Sequence, residues 1–462
     1  MEGSGRLIHE FIDKGKGAQL PWCSTSLRGS TMTLAEELNA ILEGSAAGRL
    51  LSPLGRRMYF PKGLLSQSAE ADKRATRFNA TIGMAYDKGE PMILDAVREA
   101  MPGLTPADAV AYASTAGLPA LRAVWKEALY RKNPSFAGKT SSLPVVVPGL
   151  TAAVSYISDL FLDSGEAVVV PDLHWPNYRL IVEERKTAKG LTYPIFEGAG
   201  FNVRGFEDAL REAAAKAGKA VAILNFPNNP TGYSPTLAEA AGLEAAILRV
   251  AESGADILVV CDDAYFGLAY EEGVLAESMF GRLADAHERV LVAKADGPTK
   301  EDYVWGFRVG FVTFAGKGLS PAQAEALEKK LMGVIRSSVS NSTRPGQAIF
   351  LKALTAPGYE AQKAHYRELL AQRYRRVRDF LAKAAVPASL LPLPFNSGYF
   401  MSFECRGISA ETLRLSLLDE GIGTIAIGEK HLRVAFSAVE AEHIDELYAA
   451  ILAAARALDT KS

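Results

Sequence analysis

Short apolar runs alternate with amphipathic helical stretches between about residue 90 and residue 340. The apolar runs are PVVV (144–147), EAVVV (166–170), VAILN (221–225), DILVVC (256–261), VLVA (290–293) and VGFVTF (309–314). They are rich in valine and isoleucine, which favour strands, and helical segments separate them. This alternation predicts an α/β fold in which a largely parallel sheet is covered by helices on both faces.

Two regions flank this alternation and differ from it. After Pro345, a long charged helix is predicted from about residue 358 to residue 385, and strands are predicted within PFNSGYFMSFE (394–404) and HLRVAFS (431–437). These elements indicate a smaller α+β domain. Near the N-terminus, Thr33 followed by Glu36 predicts a capping box that begins a helix over TLAEELNAILEG.

Charge and composition exclude several classes of protein. The 462 residues include 51 basic and 53 acidic ones, and this balance gives no electrostatic footprint for nucleic acid or anionic lipid. The three cysteines are far apart and the six histidines do not cluster, so neither a disulfide framework nor a metal site is predicted. No apolar run is long enough to span a bilayer, and the N-terminus lacks an apolar signal core. We therefore expect a soluble, cytoplasmic protein.

Polar motifs follow four of the apolar runs, where ligands of α/β proteins gather. These motifs are PGLT (148–151), NPTG (229–232), DDAYFG (262–267) and KADGPTKEDYVWGFRVGF (294–311). Each has an ordinary structural interpretation as well. The first is a helix start, the second a tight turn, the third a helix cap, and the lysines of the fourth are surface charges.

Taken together, the motifs Asn-Pro-x-Gly, Asp-x-Ala-Tyr and Lys-x7-Arg-x-Gly resemble those of the aspartate aminotransferase-like family. This family comprises class I/II aminotransferases, which are fold-type I pyridoxal-phosphate (PLP) enzymes. The resemblance runs from about Ile82 to Arg433. It implies a mostly parallel sheet of about seven strands between helices, in a large PLP-binding domain over residues 86–345. It also implies a smaller α+β domain from both ends of the chain, with an N-terminal arm and part of that domain in residues 1–85 and its C-terminal part in residues 346–462.

The resemblance implies roles for residues around the cofactor ring. Lys300 would hold PLP as an imine, and its rival Lys294 does not fit the family's spacing to the phosphate-binding arginine. Asp262 would pair with the pyridine nitrogen and keep the ring protonated. Tyr265 and Asn229 would donate hydrogen bonds to the phenolic oxygen of the cofactor.

The phosphate of the cofactor would be bound by Arg308 and by the helix start at Gly149, Leu150 and Thr151, because a guanidinium and a helix N-terminus both suit an anion. The chain departs from the family here. Leu150 replaces a hydroxyl residue of many relatives, and Gly297 replaces a serine three residues before the lysine.

Two aromatic residues are further candidates for the cofactor site. Trp175 matches the aromatic side chain that stacks on the ring, with a buried core tryptophan as the alternative. Tyr112 resembles the tyrosine that reaches the phosphate of the neighbouring subunit, with a core tyrosine as the alternative. The first interpretation of Tyr112 implies a homodimer with shared active sites.

The resemblance also implies a substrate site. Arg433 would bind the substrate α-carboxylate as a bidentate partner, with Asn229 beside it and the backbone at Gly83 close by. Arg336 resembles the arginine that crosses the dimer to the side-chain carboxylate of dicarboxylic substrates. Relatives with broad or aromatic specificity also have an arginine there, and a structural ion pair is the other interpretation.

The activity that the resemblance implies is a ping-pong transfer of an amino group between an L-amino acid and a 2-oxo acid, as part of amino-acid biosynthesis. Aspartate and glutamate are the favoured donors, and aromatic or broad specificity is the alternative. A β-elimination C–S lyase or another PLP reaction on the same scaffold is a competing function. A PLP-binding regulator is a third one, although the roughly 80 residues before the motifs show no DNA-binding pattern.

Overall fold

The computed structural model describes residues 33–43, 51, 53–58 and 64–459 of the chain. The chain divides into two compact units, Met1–Leu51 and Ser52–Ser462. The described part of the first unit contains helix α1 (Leu34–Ile41). The predicted capping box is confirmed, because Glu36 N donates to Thr33 Oγ1 at 3.3 Å and Thr33 N donates to Glu36 Oε2 at 2.6 Å. Most of the predicted N-terminal arm lies outside the described residues.

Helices and strands of the second unit follow one another along most of the chain. The helices are α2 (Pro53–Arg57), α3 (Leu64–Arg74), α4 (Asp95–Ala100), α5 (Pro106–Val110), α6 (Pro119–Lys132), α7 (Leu150–Phe161), α8 (Asn177–Arg179), α9 (Val203–Ala217), α10 (Leu237–Glu252), α11 (Met279–Leu283), α12 (Pro298–Glu301), α13 (Pro321–Ser338), α14 (Arg344–Leu354), α15 (Tyr359–Lys383), α16 (Ala410–Asp419) and α17 (Ile444–Asp459). The strands are β1 (Phe78–Asn79), β2 (Tyr86–Asp87), β3 (Glu90–Pro91), β4 (Val145–Val147), β5 (Ala167–Pro171), β6 (Lys189–Tyr193), β7 (Phe196–Glu197), β8 (Gly200–Phe201), β9 (Lys219–Asn225), β10 (Asp256–Asp262), β11 (Val290–Asp296), β12 (Gly310–Gly316), β13 (Leu390–Pro392), β14 (Phe400–Cys405), β15 (Ile422–Gly423), β16 (Ile425–Ile427) and β17 (His431–Ala435).

The main sheet has seven strands in the order β4-β12-β11-β10-β9-β5-β6. Strand β12 is antiparallel to both of its neighbours, and the other pairs are parallel. The prediction of a mostly parallel sheet of about seven strands is confirmed. Each of the six apolar runs overlaps one strand of this sheet, whereas β6 was not predicted.

Successive residues of the central strands pack on opposite faces of the sheet, as the pleat requires. Ala222 and Val259 belong to a hydrophobic cluster that includes Phe206 of α9. Their neighbours Val221 and Leu258 belong to a second cluster, which includes side chains of α7 and α13. Helices therefore cover both faces, which explains why these strands are apolar without alternation.

A second sheet of four antiparallel strands follows in the order β13-β14-β17-β16. The charged helix predicted before it is α15 (Tyr359–Lys383). Strand β1 pairs in parallel with β15, with Phe78 opposite Ile422. The N-terminal part of the second unit thus joins the C-terminal part, as expected for the smaller domain, while the exact domain limits remain a prediction. Across the described residues, no helix is both long and apolar enough to cross a membrane.

The carboxyl ends of three parallel strands are in register, and this alignment forms the site. Asp262 at the end of β10 lies opposite Asn225 of β9 and Ala295 of β11. Because β12 runs in the opposite direction, Arg308 precedes its first residue at the same edge of the sheet. Helix α7 also begins there, after β4.

Candidate active site

A cavity of about 330 Å³ lies at this edge of the main sheet. The sequence-predicted site residues that line it are Gly83, Leu150, Thr151, Trp175, Asn229, Asp262, Tyr265, Lys300, Arg308 and Arg433. They come from segments that are far apart in sequence. The cavity is therefore the place where the predicted chemistry converges.

Asp262 is buried and lines the cavity, and each of its two carboxylate oxygens accepts a hydrogen bond. The Tyr178 hydroxyl donates to its Oδ2, and the backbone N–H of Ala264 donates to its Oδ1 at 3.2 Å. Asn225 Nδ2 donates to the backbone carbonyl of Asp262 at 2.9 Å. Burial raises the pKa of Asp262, whereas the Tyr178 hydrogen bond and the charge of Lys300 oppose that increase. The carboxylate is fixed in position and suited to a buried cationic partner.

Lys300 is on the short helix α12 and extends into the same cavity. Its Nζ lies 4.5 Å from the centroid of the Tyr265 ring. The Tyr399 hydroxyl donates to the backbone carbonyl of Lys300 at 3.0 Å, which fixes the turn. Burial, opposed by Asp262 and assisted by Arg308, lowers the pKa of Lys300 to about 8. At pH 7 roughly a tenth of such an amine is neutral and nucleophilic, against less than about a thousandth of an ordinary lysine with a pKa of about 10.4.

We expect the reactivity of Lys300 in the cofactor-free protein to rise with pH around a midpoint near 8. Below that pH the amine holds a proton and its lone pair is not available; above it the amine is neutral. The measurement is the extent of modification of Lys300 by an amine-directed reagent at each pH, read from its peptide by mass spectrometry. A midpoint near the ordinary lysine value of about 10.4 would show that burial does not act as described.

An anion site occupies one end of the cavity. Helix α7 begins after Gly149, which has no side chain to cap it, so the first backbone N–H groups are available to an anion. Arg308 lies against Gly149, and Thr299 Oγ1 is buried without a hydrogen-bond partner among the described residues. A cation, a helix N-terminus and an unpaired hydroxyl together fit a phosphate group.

The two departures from the family lie against each other at this end of the cavity. A Cβ at Gly297 would lie 2.9 Å from Gly310 Cα and 3.3 Å from Leu150 Cδ1. The glycine therefore makes room both for the close approach of β12 and for the larger Leu150 side chain. A serine at position 297 would collide here, so Gly297 and Leu150 belong to one packing arrangement.

Replacing Gly149 with alanine is expected to weaken phosphate binding about 10- to 100-fold, the equivalent of one lost charged hydrogen bond. The added Cβ would lie 2.4 Å from Arg308 Nη2 and would displace the guanidinium. The measurement is the dissociation constant of pyridoxine 5′-phosphate. Gly165→Ala is the matched control, because Gly165 has a similar φ of 84° but no atom within 4 Å of the added Cβ. Equal affinities in the two variants would argue against this phosphate site.

Arg433 occupies the other end of the cavity. Its Nη1 donates to Asn229 Oδ1 at 3.1 Å, and its Nη2 donates to the Thr81 carbonyl at 2.8 Å. The guanidinium lies 4.3 Å from the centroid of the Phe400 ring. Its Nε is buried without a partner among the described residues. Burial lowers the pKa of Arg433 to about 10, so the charge persists at neutral pH and remains available to a carboxylate.

Three of the residues considered from sequence lie elsewhere. Lys294 is buried and paired with Asp263, outside the cavity, whereas Lys300 lines the cavity. Tyr112 is 88% exposed and follows α5. Arg336 is exposed in the last turn of α13. Neither Tyr112 nor Arg336 lines the cavity of its own chain.

Several residues of the site were not predicted from sequence. Ser68, Thr81, Asn225 and Phe400 line the cavity, and Tyr178 binds Asp262 from outside it. Asn225 does have a signal in the sequence. It is the last residue of an apolar run and of strand β9, just as Asp262 is the last residue of strand β10. The others have no such signal.

Comparison with known proteins identifies the family. The family model for aminotransferases of class I and II matches residues 82–451. The chain belongs to this family. It is 27% identical over 305 residues to the probable aspartate/prephenate aminotransferase of Aquifex aeolicus, a match that covers 64% of this chain and 70% of that protein.

Solved structures of aminotransferases have the same fold. The aminotransferase of Anaerococcus prevotii has a TM-score of 0.76 at 23% identity and covers 86% of this chain and 97% of its own. The kynurenine aminotransferase of Pyrococcus horikoshii, solved with pyridoxamine phosphate, has a TM-score of 0.74 at 16% identity and covers 89% of this chain and 98% of its own.

Aminotransferases of class I and II depend on PLP. Because the chain belongs to this family, it is a PLP-dependent aminotransferase. The residues present fit the cofactor. The cavity is lined by an acid and an amine and has an anion site at one end. The unpaired Thr299 Oγ1 and Arg433 Nε are the kind of buried polar atoms that a bound ligand satisfies.

Proposed function

We propose that Lys300, Asp262 and Arg433 perform amino transfer between an L-amino acid and a 2-oxo acid in this cavity. The observation that supports the proposal is their convergence there, with an unpaired nitrogen on Arg433 and a lysine whose pKa is lowered to about 8. Arg308 and Thr299 would hold the cofactor phosphate together with the first turn of α7.

When bound, PLP provides an aldehyde that captures amines and a ring that accepts electrons from the substrate Cα. Asp262 would hold a proton on the ring nitrogen, since its carboxylate is fixed by Tyr178 and Ala264. Tyr265 would donate to the phenolic oxygen, and Trp175 would cover the ring face.

The substrate would be oriented by Arg433, which offers Nε and a terminal nitrogen to the planar α-carboxylate. Because the guanidinium donates to Asn229 and to the Thr81 carbonyl, it has little freedom to rotate. Gly83 also lines the cavity. Lys300 Nζ would then accept the proton that leaves the substrate Cα and hold it for return, a task that suits an amine with a pKa of about 8.

The proposal includes a homodimer in which Tyr112 and Arg336 serve the cavity of the partner subunit. Both are exposed, and the loop of Tyr112 is tied to α14 by Arg344, whose Nη1 donates to the Tyr112 carbonyl at 3.4 Å. Helix α14 begins eight residues after Arg336, so the two candidates lie on connected segments. The exposed apolar side chains of Val110 and Val339 accompany them.

Dicarboxylic amino acids are the proposed donors, because Arg336 would bind a side-chain carboxylate and because relatives include aspartate aminotransferases. We further propose a role in amino-acid biosynthesis. A location in the cytoplasm is part of the same proposal, and the free cysteines Cys261 and Cys405 are compatible with a reducing compartment.

The test is to add single amino acids to the PLP-loaded protein without any oxo acid and to record the visible spectrum. Aspartate or glutamate is expected to convert the imine band to that of pyridoxamine phosphate, and 2-oxoglutarate is expected to reverse the change. Conversion by other amino acids alone would refute the dicarboxylic preference, and release of pyruvate and ammonia would indicate a lyase. Light scattering of the same sample would show whether it is a dimer.

A further inference from the structure

Each of the two central residues of the cavity is followed in sequence by a buried acid that does not line the cavity. Asp263 follows Asp262 and is 4% exposed; Glu301 follows Lys300 and is 8% exposed. Both acids are paired with lysines of the chain interior. The cavity and the ion pairs are thus connected directly through the backbone.

Asp263 belongs to the first group of these ion pairs. Its Oδ2 accepts from Lys294 Nζ, and from the Ser278 hydroxyl at 2.6 Å. Lys294 is also paired with Asp296 at 3.4 Å, and Asp296 accepts from Trp125 Nε1 at 3.1 Å. Lys294 and the two carboxylates are each less than 5% exposed.

Glu301 belongs to the second group. It accepts from Lys132 Nζ of α6 at 2.9 Å and from Lys363 Nζ of α15 at 2.8 Å. Lys363 also contacts Asp302 at 2.8 Å, and Asp302 accepts from the Tyr359 hydroxyl. Although burial opposes ionisation, Lys132 and Lys363 hold the pKa of Glu301 below its usual range.

Lys132 connects the two groups. Its Nζ lies 4.1 Å from the centroid of Trp125, the residue that donates to Asp296, and its charge acts on Asp296 as well. Together the groups form what we call the buried ion network, which contains three lysines and four carboxylates: Lys132, Lys294, Lys363, Asp263, Asp296, Glu301 and Asp302. Among the described residues, no set of acids or histidines is arranged to hold a metal.

Stability alone does not account for such a network. Removing this many charges from water is costly, and well-packed apolar side chains would hold the same interior equally well. What ion pairs provide in addition is a unique geometry, because each carboxylate satisfies two directional partners. The chain after Lys300 needs such a restraint, since Tyr303 and Arg308 both have left-handed φ values, 58° and 53°.

We propose that Glu301 is a positioning residue, and that the buried ion network fixes the turn of Lys300 relative to the strand end of Asp262. The inference rests on the roles proposed for Lys300 and Asp262. Glu301 acts through the backbone and does not touch the substrate or the cofactor. Its pairing with both α6 and α15 determines where the side chain of the preceding residue, Lys300, enters the cavity.

The test is Glu301→Gln, which keeps the shape of the side chain and removes its charge. Two ligands are compared in the cofactor-free protein: PLP, which must form an imine with Lys300, and pyridoxine 5′-phosphate, which has no aldehyde and needs only the cavity. We expect imine formation to slow by about 10- to 100-fold, because a shift of about 1 Å misplaces the amine. The affinity for pyridoxine 5′-phosphate is expected to stay within about twofold.

Glu360→Gln is the matched control. Glu360 pairs with Arg131 at 3.1 Å between the same two helices, but both side chains are more than half exposed. It should leave imine formation unchanged. If Glu301→Gln forms the imine at the wild-type rate, the proposal is wrong, and a parallel loss of affinity for both ligands would also refute it by indicating general damage.

Tyr359→Phe provides the second variant, in case Glu301→Gln does not fold. It removes only the hydroxyl that donates to Asp302. A slower imine rate, by about threefold, with unchanged pyridoxine 5′-phosphate affinity is expected. An unchanged rate would overturn the proposal. Absence of any imine in the wild-type protein would instead refute the role of Lys300 itself, so the two failures are distinguishable.

Discussion

Replacing Lys300 with alanine is expected to lower kcat for amino transfer by about 10²- to 10⁴-fold. The variant loses the amine that we propose both holds the cofactor and accepts the substrate proton. Water in the vacated space is a poor substitute, because it is a far weaker base than an amine and is not held in a fixed position. The measurement is the single-turnover rate with an amino acid, followed by the visible spectrum of the bound cofactor.

Borohydride reduction of the wild-type protein provides the matching structural readout. The reduced cofactor should be found by mass spectrometry on the peptide of Lys300 and not on that of Lys294, which is enclosed by Asp263 and Asp296. Lys317→Ala, an exposed lysine at the far end of β12, is the control and should retain full activity. A label on Lys294, or more than about 1% residual activity in Lys300→Ala, would contradict the assignment.

Replacing Asp262 with asparagine is expected to lower kcat by about 10²- to 10³-fold, the usual cost of one lost electrostatic contact to the reacting group. Asparagine keeps the shape, and its amide can still bond to the Tyr178 hydroxyl. Without the negative charge, however, no group holds the proton on the ring nitrogen. The matched control is Asp256→Asn at the other end of β10, where Asp256 forms an exposed pair with Arg289. A loss below tenfold would refute the role of Asp262.

The same variant should be more stable than the wild type when the cofactor is absent. Burial raises the pKa of Asp262 in the folded protein above its unfolded value. The folded state then binds a proton more readily, so the free energy of unfolding falls as pH rises above the unfolded pKa. Asparagine removes this penalty at neutral pH. Urea unfolding of the two cofactor-free proteins at pH 7 would show it, and a less stable variant would mean that Tyr178 and Lys300 already compensate the charge.

The strands of the main sheet were predictable in proportion to their burial. Strand β9 is almost completely buried and gives a continuous apolar run, VAILN. The edge strand β6 is KGLTY and is mostly exposed or half-buried, so its sequence has no apolar run. An edge strand is determined by its pairing with β5 and not by its own composition.

The residues of the site that could be predicted from the sequence are those whose reactive side chains lie together in one short motif. Asp262 and Tyr265 are three residues apart, and Lys300 and Arg308 are eight apart, so their patterns are visible in the chain. Ser68 and Phe400 line the cavity from helix α3 and strand β14. Such contacts depend on the tertiary fold, and no local sequence pattern predicts them. Tyr112 and Arg336 are exposed in the single chain, and their proposed partners belong to another subunit.

The contact between Arg433 and the Thr81 carbonyl joins residues 352 positions apart, and the pairing of β1 with β15 joins the same two parts of the chain. Contacts of such long sequence separation form late, because the closure entropy of the intervening loop must be overcome first. During synthesis, all seven strands of the main sheet are made before the C-terminal segment that contains Arg433. The residues of the anion site therefore leave the ribosome before the arginine that we propose binds the α-carboxylate of the substrate.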